Sequence, residues 1–175
     1  MKYKKRFDNV IKLISEGDMN IVELCFGDIH IAEYCYSTNR KWLGLDINNK
    51  FVEYACKNGF TAEQKDIMTM EIPNNDVCIM VGSIYHFIND IEHVLKKMLV
   101  SSKKVIISEP IKNLSNNKYI GFFAKRSANV GQGMESFRFN ESNFVELLDN
   151  HKERLSFNYK IISKDRDILV VLMPK

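Results

Sequence analysis

The chain has 175 residues, 45% of them hydrophobic, and sets 25 Lys and Arg against 22 Asp and Glu for a net charge of +3. That length suits one well-filled core, and so small and scattered a charge is not the concentrated basic stripe of a nucleic-acid binder. No apolar run approaches the ~18 residues of a membrane span, and Met1-Lys-Tyr-Lys-Lys-Arg6 leads into an amphipathic stretch instead of a signal-peptide core, so a single cytoplasmic domain over 1–175 is expected.

Phe7, Val10, Ile11 and Ile14 recur at helical spacing, which predicts a helix ending near Gly17 with one apolar face on the body. Ile21 to Phe26 reads as a strand, Ile29 to Tyr36 as a helix and Trp42 to Leu45 as a second strand. A helix over Lys50 to Lys57 follows, opened by Asn48 or Asn49 and closed by Gly59, and then a polar edge strand over Thr61 to Lys65. Val77-Cys-Ile-Met-Val81 and Val105-Ile-Ile107 are apolar without alternation, as central parallel strands covered on both faces are. Between them Ile91, Val94, Leu95, Met98 and Leu99 make a helical core stripe.

Asn140 caps a helix over Glu141 to Leu148, and two final strands flank a hairpin at Ser163-Lys-Asp-Arg166. The predicted fold class is α/β: a doubly wound, seven-stranded, mostly parallel sheet with a C-terminal antiparallel hairpin and helices on both faces. Lys2, Lys4, Lys5, Arg6 and Lys12, with the Lys96/Lys97 and Lys103/Lys104 pairs, read as solvated faces. Cys25, Cys35, Cys56 and Cys78 have neither metal-ligand spacing nor the density of a disulfide scaffold, so they read as buried, reduced thiols and no metal is expected.

Ligands of open parallel sheets bind beyond the carboxyl ends of the strands, and the polar residues of this chain collect there. The strand ends carry Gly27-Asp28, Asp46, Asp66, Gly82-Ser83 with Tyr85-His86-Phe87, and Ser108-Glu109. The carboxylate of Asp46, about 20 residues beyond the first strand's acid, is placed to hold the two hydroxyls of a ribose. Each residue also has a plainer role open to it. Glu23 is either a site acid or a structural acid, Asp46 either a ribose ligand or a helix cap, and Asp66 either a ligand or a turn residue.

Val22-Glu-Leu-Cys-Phe-Gly-Asp28, Gly44-Leu-Asp46-Ile47, Lys65-Asp66-Ile67 and Asp76-Val-Cys-Ile-Met-Val-Gly-Ser-Ile-Tyr-His-Phe87 succeed one another along the chain. In this order they resemble the motifs of the class I S-adenosylmethionine-dependent methyltransferases, a Rossmann-like family whose sheet ends in a reversed hairpin. The resemblance implies S-adenosylmethionine as cofactor. It implies that Glu23 and Gly27 border the methionine part, that Asp46 accepts from the ribose hydroxyls, and that Asp66 faces the adenine amino group with Ile67 on the ring. Asp28, Ile47 and Gly82 complete the implied cofactor-binding set. The departure lies in the turn, where Cys25 and Ile29 stand at positions the family commonly fills with glycine.

The implied reaction is O- or N-methylation of a small metabolite, with His86 as base or substrate orienter and Tyr85 lining the acceptor side. Residues 111–139, with Phe122-Phe-Ala-Lys-Arg126, Gly131-Gln-Gly133 and Phe137-Arg-Phe139, stand where the family commonly inserts a substrate-side lid. Ser108-Glu-Pro-Ile-Lys-Asn-Leu114 and Phe137-Arg-Phe139 are similar to segments of small bacterial methyltransferases of surface-sugar pathways, which implies a sugar or glycan precursor. A non-catalytic binding or regulatory module on the same scaffold is the alternative that the altered turn leaves open. A nucleic-acid substrate is disfavoured because Gly82-Ser-Ile-Tyr85 lacks the Asn/Asp-Pro-Pro-aromatic pattern. The expected partner is a small-molecule substrate, not a membrane.

Overall fold

The structure is a computed structural model and describes residues 2–112 and 137–175. Most of the expected lid, including Gly131 and Gly133, therefore lies outside the described residues. The strands are β1 (Asn20–Leu24), β2 (Lys41–Asp46), β3 (Ala62–Gln64), β4 (Asn75–Val81), β5 (Ser102–Pro110), β6 (Phe157–Lys164) and β7 (Asp167–Pro174). They form one sheet in the order β3-β2-β1-β4-β5-β7-β6. The first five are parallel, and β7 runs antiparallel between β5 and β6. The α/β class and the terminal hairpin expected from the sequence are both present.

The helices are α1 (Lys2–Ile11), α2 (His30–Ser37), α3 (Asn49–Lys57), α4 (Ile91–Ser101) and α5 (Glu141–Lys152). Alternation along the strands sends side chains to two cores. One face, with Ile21, Trp42, Val77, Ile79 and Ile106, is covered by Phe7 and Val10 of α1, Ile31, Ala32 and Cys35 of α2, and Val52 and Ala55 of α3. The opposite face, with Val22, Leu24, Cys78, Met80 and Val105, is covered by α4 and by Phe144 and Leu148 of α5.

Several boundaries differ from expectation for identifiable reasons. β5 begins at Ser102, well before Val105, because its polar start pairs with β4, Ser102 level with Asn75, and Lys103 adds an ion pair to Asp76 at 2.8 Å. The same Asp76 accepts the amides of Met19 at 3.0 Å and Asn20 at 2.8 Å, which fixes where β1 starts. Lys103 is the chief cause that holds the Asp76 carboxyl far below the usual range. α1 stops at Ile11 and gives way to tight turns from Leu13 and Ile14 back to Val10 and Ile11.

Two residues read as solvated are in fact packed. The Lys104 ammonium is tied to the Leu13 carbonyl at 2.8 Å and to Asp18, and the Arg6 side chain is only 11% exposed. Of the cysteines, all free, Cys35 and Cys78 are buried, Cys25 is half-buried and Cys56 is exposed, so the expectation of four buried thiols holds for two. Tyr85 and His86 sit not on the strand end but on a separate 3₁₀ segment, Ile84–Asp90.

Candidate active site

β1 lies between β2 and β4, with Glu23 level with Gly44 and Ile79. This is the point where the chain order reverses, so the two crossovers leave on opposite sides and open a crevice above the carboxyl ends. The turn that follows β1 is built around Cys25, whose φ of 53° is left-handed for a residue that carries a Cβ. Its amide still reaches the Leu45 carbonyl at 2.7 Å, and its own carbonyl accepts from the Ser83 hydroxyl at 3.4 Å. Burial, then the negative charges of Asp46 and Asp66, push the Cys25 thiol far up, so it is a neutral wall residue and not a nucleophile.

Gly27 is exposed and has an ordinary backbone conformation, and a Cβ added to it would meet nothing within 4 Å. The fold itself does not require glycine there. Asp28 accepts the His30 amide at 3.0 Å and so opens α2, while Ile29, at another expected glycine position, is buried in the core beneath α1 and α2. Ile29 thus points away from the crevice.

Glu23 is sealed behind this turn, 1% exposed, with a carboxylate oxygen accepting from Trp42 Nε1 at 2.9 Å. Burial, opposed by the Trp42 hydrogen bond and reinforced by Asp28 and Asp46, pushes its carboxyl up to about 8. Trp42 and Phe26 crowd Gly44 so closely that a Cβ there would overlap both rings.

Asp46 ends β2 and is buried, with Oδ1 accepting the Asn48 amide at 2.7 Å. No described residue bonds its Oδ2. Burial, against the pull of the Asn48 amide, raises this carboxyl to about 6. The helix cap is a different residue: Asn48 accepts the Lys50 amide at 3.0 Å and starts α3. Ile47 beside it is a large apolar side chain left 37% exposed.

Asp66 is half-buried and closes a turn, its Oδ1 taking the Met68 amide at 2.8 Å. Ile67 is packed into the α4-side core, and its carbonyl accepts from Lys97 at 2.8 Å. Asp46 and Asp66 both lie close enough to raise the Cys25 thiol, so the structure brings Cys25, Asp46 and Asp66 together at neighbouring strand ends.

Beyond β4, Gly82 adopts φ +70°, and Arg6 from α1 lies where its Cβ would be, with Nη2 at 2.9 Å. Tyr85 is buried and its ring lies 3.9 Å from that of His86. The Arg138 guanidinium covers the other side of the site, 4.0 Å from the Tyr85 ring centroid. Below them Glu109, at the end of β5, is fully buried, and Arg6 Nε meets Asp167 Oδ2 at 3.2 Å.

The sequence reading put Glu109 at a strand end but gave it no role, took Arg6 for part of a solvated face, and did not single out Asp167. The available signal was the convergence of β5 and β7 on one edge. A cavity of about 580 Å³ lies at the opposite edge of the sheet, lined by residues such as Asn20, Arg40, Lys41 and Asn75, and none of the candidate residues faces it. The acids and aromatics converge instead at the carboxyl ends, away from this open hollow. Among the described residues no group of three or more His, Cys, Asp or Glu side chains is arranged to hold a metal.

Comparison with protein-family models and with curated sequences gives no match. Solved structures do match along nearly the whole chain. Magnesium protoporphyrin IX methyltransferase of Synechocystis PCC 6803 with bound SAH superposes with a TM-score of 0.71 at 13% identity, covering 99% of this chain and 83% of that one. The methyltransferase domain of bacterial CtHen1 gives 0.72 at 14% identity, covering 98% of each chain. A SAM-dependent methyltransferase of Thermotoga maritima gives 0.67 at 14%, covering 99% and 89%. At such identities the likeness is one of fold: this chain has the Rossmann-like fold that these methyltransferases share.

Proposed function

We propose that the protein binds S-adenosylmethionine and methylates a small metabolite on oxygen or nitrogen, as a cytoplasmic enzyme. The observation that carries this is Asp46, a buried carboxylate at the β2 end with one oxygen engaged and the other without a partner among the described residues. A carboxylate is acceptor-only and takes both hydroxyls of a ribose. Solved structures of the same fold hold SAM or SAH, which supports the same cofactor here.

In this reading Asp46 holds the ribose, Ile47 and Ile67 flank the adenine, and Asp66 faces its amino group. Gly27 leaves room for the methionine arm, and Asp28 and Gly82 border it. Glu23 acts from behind the turn through Trp42, because its side chain is sealed from the crevice. The cofactor supplies an electrophilic methyl group, and the residues of the chain align the acceptor against it and exclude water. Tyr85 lines the acceptor side, and His86, stacked on it, orients the acceptor or takes its proton.

Titration calorimetry with S-adenosylmethionine and S-adenosylhomocysteine tests the reading. A ligand held at a hundred times its Kd would also raise stability by about 2.7 kcal/mol. Absence of both heat and thermal stabilisation with either ligand overturns it. The left-handed Cys25 at a glycine position supports one second reading, a binding module without turnover. Heat with S-adenosylhomocysteine but no product from S-adenosylmethionine across a panel of small acceptors would favour that module.

A further inference from the structure

Nearly every buried polar atom that lacks a hydrogen-bond partner among the described residues belongs to one cluster. The atoms are Arg6 Nε and Nη2, both carboxylate oxygens of Glu109, and Asp167 Oδ1; the contacts of these side chains include the Arg6 Nε–Asp167 Oδ2 ion pair at 3.2 Å and the Ile84 amide beside Glu109, and only Asn75 Oδ1 lies elsewhere. Folded proteins leave few such atoms, because each costs free energy when dry and unpaired. Donors and acceptors gathered in one solvent-excluded place point to a polar group that completes them in the working protein.

The chemistry of that group follows from charge and placement. Arg6 and Asp167 offset each other as an ion pair, and burial pushes the Glu109 carboxyl up to about 8, against the pull of Arg6, the Ile84 amide and Arg138 and with the help of Asp167, so it keeps its proton near neutrality. The three side chains together carry no net charge. A charged ligand would therefore sit uncompensated in a dry site, whereas a hydroxyl both donates and accepts and satisfies both kinds of orphan.

Placement separates this site from the nucleoside. Glu109 on β5 stands three strands from Asp46 on β2, roughly 14 Å at the usual strand spacing, so a ribose held by one cannot touch the other. The cluster lies instead against Gly82, on the side of Tyr85, whose ring is engaged by the Arg138 guanidinium.

We propose that Arg6, Glu109 and Asp167 form the binding site for the hydroxyl groups of the methyl acceptor, which is a neutral polyhydroxylated molecule of the sugar or polyol class. This rests on the methyltransferase reading above. The protonated Glu109 carboxyl both donates to and accepts from the acceptor's hydroxyls, Asp167 accepts from them, and Arg6 donates to their oxygens.

The test uses the full chain labelled with ¹⁵N at arginine, the Arg6 Nε–H resonance being assigned by its loss in Arg6→Lys. Glucose, galactose, ribose and N-acetylglucosamine are compared with acetate, phosphate and ethylammonium at equal ionic strength. At least one neutral sugar is expected to shift the resonance saturably, and Glu109→Gln to weaken that binding by about tenfold. Should Glu109→Gln fail to fold, Asp167→Asn carries the same comparison.

Response to the anions alone or the amine alone overturns the proposal, and so does response to none, which would mean that ordered water alone fills the cluster. S-adenosylhomocysteine should still bind Glu109→Gln with unchanged affinity. Loss of its binding to the unaltered chain would instead sink the cofactor reading and leave the sugar result to stand by itself.

Discussion

Trp42 donates its indole hydrogen to Glu23 across the β1–β2 ladder at 2.9 Å, and both partners are buried. Trp42 is the single tryptophan of the chain, so its fluorescence reports on this carboxyl directly. Emission should titrate with a midpoint of about 8, the value to which burial pushes Glu23, and Glu23→Gln should abolish the transition. A flat emission profile between pH 6 and pH 9 in the unaltered chain, taken as about the window one unit and more either side, would contradict the assignment.

The same group makes stability depend on pH with a definite sign. Between the ordinary glutamate value of 4.5 and about 8, folded Glu23 keeps a proton that the unfolded chain has lost. Its stabilising contribution is complete below 4.5 and is lost as pH rises through about 8. Glu109 acts with the same sign, and Asp46 does so between 3.8 and about 6. Thermal melts should fall as pH rises across this range. Glu23→Gln should flatten the slope, by on the order of 1 kcal/mol or more over the window.

Gly27→Ala separates a glycine the fold needs from one a ligand needs. Neither φ nor a neighbouring atom opposes a Cβ there, so stability should change by less than about 0.5 kcal/mol. Cofactor affinity, read by calorimetry with S-adenosylhomocysteine, should fall by about tenfold or more as the Cβ meets the bound arm. Equal affinity in both proteins would remove Gly27 from the site.

Asp46→Asn should lower cofactor affinity by about tenfold, since one of its two ribose hydroxyls then meets an amide donor instead of an acceptor. In the unaltered protein affinity should weaken as pH drops below about 6, where the buried carboxyl gains its proton. The asparagine variant should lose that dependence. A pH profile shared by both proteins would show that another group governs it.

At Gly82 two costs are superposed. A Cβ there meets the Arg6 guanidinium, and the backbone is left-handed at φ +70°. Gly82→Ala should destabilise by about 1–3 kcal/mol in the unaltered chain but by only about 1 kcal/mol of backbone strain when introduced into Arg6→Ala, whose own cost from the stranded Asp167 is the reference there. An added cost of zero in that background, read in urea melts, would assign the whole cost to Arg6.

The sheet was legible because its signals are local. Val77 to Val81 is apolar throughout, and a strand with both faces covered has that composition; Asn48 and Asn140 sit where two helices need an amide acceptor, and both accept one. Asp46 and Asp66 could be placed at strand ends by counting residues. Arg6, Glu109 and Asp167 could not be grouped this way, because they come from the first helix, the fifth strand and the last strand, and only the insertion of β7 beside β5 joins them. The burial of Arg6 was invisible for the same reason: within α1 it is one more basic residue among Lys4 and Lys5, both of which are exposed. Cys25 broke a sequence rule outright, keeping a glycine's conformation without a glycine, and its amide bond to Leu45 shows that the ladder holds it there.

The pairing of Arg6 with Asp167 also couples α1 to β7. A guanidinium enters a dry interior only with its counter-ion in place, and here that carboxylate belongs to a strand made more than a hundred and fifty residues later. The burial of Arg6 in the closed position of α1, against α2 and β5, is therefore complete only when the last hairpin is in place, so local opening of β7 should loosen a helix that lies far from it in sequence.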